Sequence, residues 1–190
     1  HAQIASEQGT FNIEDIITGV SRKMVLRHTH VFGQDKADTA EDVVENWEKI
    51  KKKEKGIKSN TDGLKDVPSN LPALMRSYKV QQKASRVGFD WDNAEEVFEK
   101  VREEIDELKD VYKSKDVARI NDEIGDVLFS IVNLSRFLDI QPELALTGTI
   151  NKFITRFEYI ERESARDGKK MEDMTLAEMD EYWNKAKGKS

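Results

Sequence analysis

Apolar residues along this chain of 190 recur at spacings of three and four, and no stretch alternates strictly between apolar and polar positions. That period belongs to helices with one buried face. It predicts helices over residues 13–27, 39–53, 72–87, 94–113, 117–138, 142–165 and 175–187. The expected fold class is all-α. Asp116 stands where an N-cap for the fifth helix belongs. Thr175, with Glu178 three residues on, has the spacing of a capping box for the seventh. The polar, turn-rich stretch from Lys55 to Gly63 reads as part of a linker.

The pattern also repeats. Thr18-Gly-Val-Ser-Arg-Lys-Met-Val-Leu-Arg27 aligns without gaps on Thr147-Gly-Thr-Ile-Asn-Lys-Phe-Ile-Thr-Arg156. Further on, Trp47-Glu-Lys-Ile-Lys51 aligns on Trp183-Asn-Lys-Ala-Lys187. Two matched blocks in the same order indicate a duplication. The chain is expected to start inside the first copy, upstream of which an acidic half would lie. Residues 1–54 are then the tail of a truncated first domain, 55–66 a linker, and 67–190 a complete second domain.

Composition narrows the function. Charged residues make up 36% of the chain and the net charge is −6, which argues against a nucleic-acid-binding surface. Cysteine is absent, so disulfides, thiolate metal sites and thiol catalysis are excluded. No apolar run approaches the length of a membrane span, and no signal peptide is seen at the start. A cytoplasmic protein with no membrane contact is expected.

Two predicted helices carry the candidate chemistry. Glu104 and Glu107 lie three residues apart on one, and Glu123 and Asp126 three apart on the next. Residues so spaced share a helix face. A short connection near Ser114–Asp116 makes the helices antiparallel neighbours, so that four carboxylates converge. Such acids on an ordinary charged helix form a solvated face. Here the apolar run from Val127 to Leu134, extended by Ile120 and Ile124, predicts a mostly buried helix, where unpaired carboxylates are costly. The oxygen quartet suits a hard divalent cation, above all Mg²⁺, which usually brings a phosphate substrate.

The remaining candidates are more ambiguous. Lys152 and Arg156, at i and i+4, read either as a surface pair or as a cationic clamp on phosphates. Trp183 reads as a core anchor ahead of a stacking platform. Gly88-Phe-Asp-Trp91 reads as a structural turn, and Arg76, Lys79 and Lys83 as solvated. None of the three histidines stands three residues from a glutamate on the acidic helices, which counts against a di-iron bundle and against a histidine base.

In this order the residues resemble the MazG family of nucleoside triphosphate pyrophosphohydrolases. Its signature, Glu-Glu-x-x-Glu, a spacer, then Glu-x-x-Asp, reads here as Glu103-Glu104-Ile-Asp-Glu107, fifteen residues, then Glu123-Ile-Gly-Asp126. Leu71-Pro-Ala-Leu-Met-Arg-Ser-Tyr-Lys79 and Val87-Gly-Phe-Asp-Trp91 fit the same likeness. The resemblance implies a homodimeric all-α enzyme that hydrolyses (deoxy)nucleoside triphosphates to the monophosphate and pyrophosphate. It implies Mg²⁺, with Mn²⁺ as substitute, on Glu104, Glu107, Glu123 and Asp126. It also implies nucleotide contacts from Lys100, Arg119, Lys152, Arg156 and Trp183. Glu103 and Glu107 are both left as candidate bases. A narrow-specificity relative acting on dUTP or phosphoribosyl-ATP, and a non-catalytic helical interaction module, are the competing readings.

Overall fold

The computed structural model describes residues 1–33 and 39–188, and every regular element among them is helical. By their internal contacts the residues divide into two units, His1–Asp66 and Val67–Ser190.

The first unit contains α1 (Ala2–Glu7), α2 (Ile13–Arg27), α3 (Thr29–Phe32), α4 (Ala40–Glu54) and α5 (Asn60–Lys65). Capping boxes start three of them. Asn12 accepts from the N–H of Asp15 and receives the Asp15 carboxylate on its own N–H, and Thr39 with Asp42 does the same for α4. Ser59 with Asp62 starts α5, so a short helix occupies part of the stretch expected to be a linker. The Arg27 guanidinium joins the end of α2 to the end of α4 through Glu54 at 2.8 Å. No α2 residue is buried, and Ile13, Ile16, Ile17, Val20 and Met24 leave an apolar stripe exposed.

The second unit contains α6 (Ala73–Ser85), α7 (Ala94–Val111), α8 (Val117–Phe137), α9 (Pro142–Arg166), a 3₁₀ turn (Met171–Asp173) and α10 (Leu176–Lys187). The chain leaves α6 through Gly88, whose φ of 84° lets the Phe89 N–H reach back to the Ala84 carbonyl at 3.2 Å. Asn93 caps α7 by accepting from the Glu96 N–H, and Asp116 caps α8 by accepting from the Arg119 N–H. Only residues 112–116 separate α7 from α8, so the two pack side by side in opposite directions. Val97, Val101 and Val111 of α7 and Val132 of α8 are buried. Each such side chain contributes about 1.5–3 kcal/mol by leaving water. The Gln81 amide ties α6 to α8 by donating to the Phe129 carbonyl at 2.8 Å. An ion pair between Asp90 and Arg136 fastens the segment before α7 to the end of α8.

α10 folds onto α9 around Ile160, Met174 and Tyr182, with Met171, Met179 and Trp183 at the margin. The Tyr182 hydroxyl donates to the Asp167 carboxylate at 2.6 Å, just past the end of α9.

One expectation needs correction. α8 is not mostly buried: Ser130, Val132 and Asn133 are, while Ile124, Leu128, Phe129 and Ile131 are exposed. Its apolar residues run nearly all the way round, and α6, α7 and α9 cover only part of that circumference. On α9, Leu146, Ile150, Phe153 and Phe157 form a second exposed apolar row at helical spacing. No helix among the described residues is long and apolar enough to cross a membrane.

The capping box of α10 generates a pH prediction. Above all the Thr175 N–H, then the Lys169 ammonium and the Thr175 hydroxyl, hold the Glu178 carboxyl down from 4.5 to about 2. A lowered folded-state value adds stability that is present above 4.5 and lost as pH falls towards about 2. Glu178→Gln should therefore be less stable than the wild type at neutral pH. The difference between their urea midpoints should close across that acid range.

Candidate metal centre

The α7–α8 pairing brings acids from both helices together. Glu104, Glu123 and Asp126 each offer one carboxylate oxygen, and the three oxygens lie within 4.8 Å of one another. Glu104 is buried, at 7% exposure, Glu123 is half-buried and Asp126 is exposed, so the group opens from the helix seam towards solvent. Glu107, the fourth acid expected here, is not part of this triplet. It sits one turn on along α7, exposed, at the rim beside Glu104. Partial desolvation first, and the Glu104 carboxyl second, push Glu107 above its ordinary 4.5.

Two cations border the acids. The Lys100 ammonium bonds Glu104 at 2.8 Å and Glu103 at 2.9 Å, and these carboxylates hold it well above the ordinary lysine range. Glu103 is thereby turned to Lys100 and stays outside the triplet. Arg119, largely exposed, approaches Glu123 at 4.0 Å.

The donor set fits a hard cation. It consists of carboxylate oxygens alone. Around an ion that holds oxygens at about 2.1 Å, neighbouring and opposed ligands stand roughly 3 and 4 Å apart. From separations of at most 4.8 Å the triplet reaches that spacing by closing less than about two ångströms, within reach of side-chain rotation.

Lys152, Arg156 and Trp183 assemble a different feature. Arg156 of α9 lies over the Trp183 ring of α10, 5.5 Å from its centroid. The Arg156 Nε is buried without a hydrogen-bond partner. Among the described residues neither Lys152 nor Arg156 has an acidic partner. Phe153 also packs against Trp183, with ring centroids 5.2 Å apart and the rings tilted by 55°. Trp183 is thus half-buried, at the margin of the core and against the exposed Phe153, as a core anchor would be. The first unit holds a similar stack, with Arg27 over Trp47 at 5.3 Å, at positions that the aligned blocks pair with Arg156 and Trp183.

Two features escaped the sequence reading. Phe153 gave no sign beyond its place beside Lys152. The Asp90–Arg136 pair joins residues 46 apart, and nothing in either local sequence announces it. The segment before α7 also lines a shallow depression of about 250 Å³ with Gly88, Phe89, Asp90, Trp91, Asp92 and Glu96. It shares no residue with the carboxylate triplet.

Comparison with known proteins gives this geometry a context. The MazG nucleotide pyrophosphohydrolase domain matches residues 1–32 and 92–160. The nucleoside triphosphate pyrophosphohydrolase/pyrophosphatase MazG of Thermotoga maritima is 45% identical over 188 residues, which cover 99% of this chain and 71% of that protein. The nucleoside triphosphate pyrophosphohydrolase of Escherichia coli is 40% identical over 191 residues, covering 98% of this chain and 72% of that protein. YabN of Bacillus subtilis, described as uncharacterized, is 46% identical over 188 residues, 98% of this chain and 38% of its own length.

The raised Glu107 value sets a second pH dependence. A carboxyl whose folded-state value exceeds its unfolded one adds stability below 4.5 that is lost as pH rises through the folded value. In chelator, Glu107→Gln and the wild type should have similar urea midpoints in acid, with the wild type falling behind as pH rises. A saturating divalent cation should remove that deficit.

Proposed function

This chain belongs to the MazG nucleotide pyrophosphohydrolase family, and from that premise we propose that its second unit hydrolyses nucleoside triphosphates to the monophosphate and pyrophosphate at the Glu104–Glu123–Asp126 triplet. The observation that carries the proposal is the meeting of these three carboxylate oxygens from two helices in a chain of this family. Mg²⁺, or Mn²⁺ in its place, is the proposed ion; bound there, it would neutralise phosphate oxygens and acidify a coordinated water.

The chain's own residues divide the remaining work. Glu104, Glu123 and Asp126 hold the ion, and Glu107 closes the ligand set from the rim. A carboxylate must also accept the proton of the attacking water, because no histidine or cysteine lies in the second unit. Between the two candidates, Glu107 is better suited than Glu103. It adjoins Glu104 and, among the described residues, has no cation paired with it, whereas Glu103 is engaged by Lys100. Lys100 and Arg119 stand where triphosphate oxygens would meet the ion. Arg156 and Lys152 carry positive charge without internal acidic partners, which suits an anionic substrate, and Trp183 with Phe153 offers a flat apolar surface to a base.

The same proposal includes the domain assignment and the assembly. Residues 67–190 form the catalytic domain, and 1–54 are the tail of a related domain. The exposed rows Ile124–Leu128–Ile131 of α8 and Leu146–Ile150–Phe153–Phe157 of α9 favour a homodimer, since monomeric soluble proteins seldom leave large apolar patches uncovered. A cytoplasmic location, where nucleoside triphosphates are made and used, completes the reading.

Pyrophosphate release measured over a panel of nucleoside triphosphates with Mg²⁺ tests the activity and reads which base is preferred. Glu123→Gln and Asp126→Asn should each lower the rate by more than about a hundredfold, because even residues behind the ligands cost ten- to a hundredfold. Their helical circular dichroism should match the wild type. Full turnover in both variants would refute the assignment. Sedimentation equilibrium should give twice the 21.9 kDa chain mass.

A further inference from the structure

We propose that Lys100 is a built-in counter-ion of the carboxylate triplet, which an arriving divalent cation displaces and so frees to receive the triphosphate. The inference rests on the metal site proposed above and adds an order to its filling.

Glu104 has two claimants. This residue is buried between α7 and α8 and contributes to the oxygen triplet with Glu123 and Asp126. It is also the residue that the Lys100 ammonium bonds at 2.8 Å. A lysine and a divalent ion drawn to one carboxylate are like charges competing for one place. Lys100 has a side chain one-third exposed, with its ammonium divided between buried Glu104 and exposed Glu103. It can therefore leave Glu104 without leaving the site, keeping Glu103 as an anchor.

Release has a consequence. Once Glu104 belongs to the metal, the ammonium at its edge has lost one of its two acid partners and faces the position where phosphate oxygens would arrive. Metal binding and triphosphate capture then favour each other, as linkage requires of two events that share one side chain. Arg119, at 4.0 Å from Glu123, is a looser second instance on the facing helix.

The size of the effect follows from Coulomb's law. A doubly charged ion about 5 Å from an ammonium, under water-like screening, is opposed by roughly a factor of ten in its binding constant. Removing the ammonium should therefore tighten metal binding. If Lys100 merely orients Glu104, its removal should loosen metal binding instead. The two readings predict opposite signs.

The test is Mn²⁺ binding to the full chain without nucleotide, followed by electron paramagnetic resonance and calorimetry. Lys100→Met and Lys100→Gln should each bind Mn²⁺ about tenfold more tightly than the wild type, while Lys100→Arg, which keeps the charge, should not. Unchanged or weaker binding in both neutral variants would overturn the proposal. A measurement on the unaltered chain guards against misfolded variants: the Lys100 ¹³Cε signal should shift as Mg²⁺ saturates the site, and a signal that stays still would overturn it too. If Glu123→Gln abolishes Mn²⁺ binding but the neutral variants bind no more tightly, the counter-ion exchange fails alone. If the wild type binds no Mn²⁺, the proposed function fails with it.

Discussion

Charge compensation along the seam of α7 and α8 is the condition on which the rest of the second unit depends. Two like charges about 5 Å apart cost roughly 3 kcal/mol at the screening usual near a protein surface. Three mutually repelling carboxylates would thus consume much of the roughly 5–15 kcal/mol that holds a small domain together. The structure answers with several devices at once. Lys100 stands against Glu104, Arg119 leans towards Glu123, Glu107 holds its proton more tightly than an ordinary glutamate, and Asp126 stays open to water. None of these is a permanent neutraliser. On the proposed function each would yield to a divalent cation, and the mutual repulsion of the acids would then favour its binding.

Apolar packing keeps the acids together against that repulsion. Val97 and Val101 are buried on the same helix that bears Glu104, two turns and one turn before it, and Val111 lies beyond it. Val132 answers from α8. At one end the short connection closed by the Ser114 N–H on the Val111 carbonyl fixes the hairpin, and at the other Asp90 is held by Arg136 while Asn93 caps the start of α7. The carboxylates are therefore carried on two rods whose register is set elsewhere. Ion pairs one turn apart on a helix, worth a few tenths of a kcal/mol each, could not set it.

The long helices were legible because periodicity needs two or more turns to declare itself. α2 runs from Ile13 to Arg27 as the spacing predicts, and α8 and α9 differ from expectation by a residue at one end. α1, α3 and α5 were not legible. They are only four to six residues long, too short for a stripe, and α5 announces itself only through the Ser59–Asp62 capping spacing inside a polar stretch. Of the candidate site, spacing could place Glu123 and Asp126 on one face of α8, because residues three apart on a helix lie together, while the approach of Glu104 depends on how α7 packs against α8. It did not give the position of Glu107 outside the triplet, nor the pairing of Glu103 with Lys100. Those depend on rotamers and on how deeply each helix sits against its neighbours. The burial of α8 was misjudged for a related reason. An all-round apolar helix shows that something covers it, but the pattern does not say whether the cover comes from the same chain.

The duplication sharpens what the Arg–Trp stack means. Arg27 over Trp47 and Arg156 over Trp183 are the same construction, built from aligned blocks in both units. Its presence alone is then a property of the repeated fold, since the described part of the first unit has no carboxylate triplet of its own. The difference lies in what balances the guanidinium. Arg27 is held by Glu54 through both its Nε and its Nη2, so its charge is consumed inside the unit. Arg156 has no such acid among the described residues, and its Nε is buried with nothing to bond. A partly buried cation left without a counter-ion carries a desolvation cost that an arriving anion would relieve. The two units thus share the stack, and the acid that balances it in the first has no counterpart beside Arg156 among the described residues, which is the difference that the proposed function assigns to an anionic substrate.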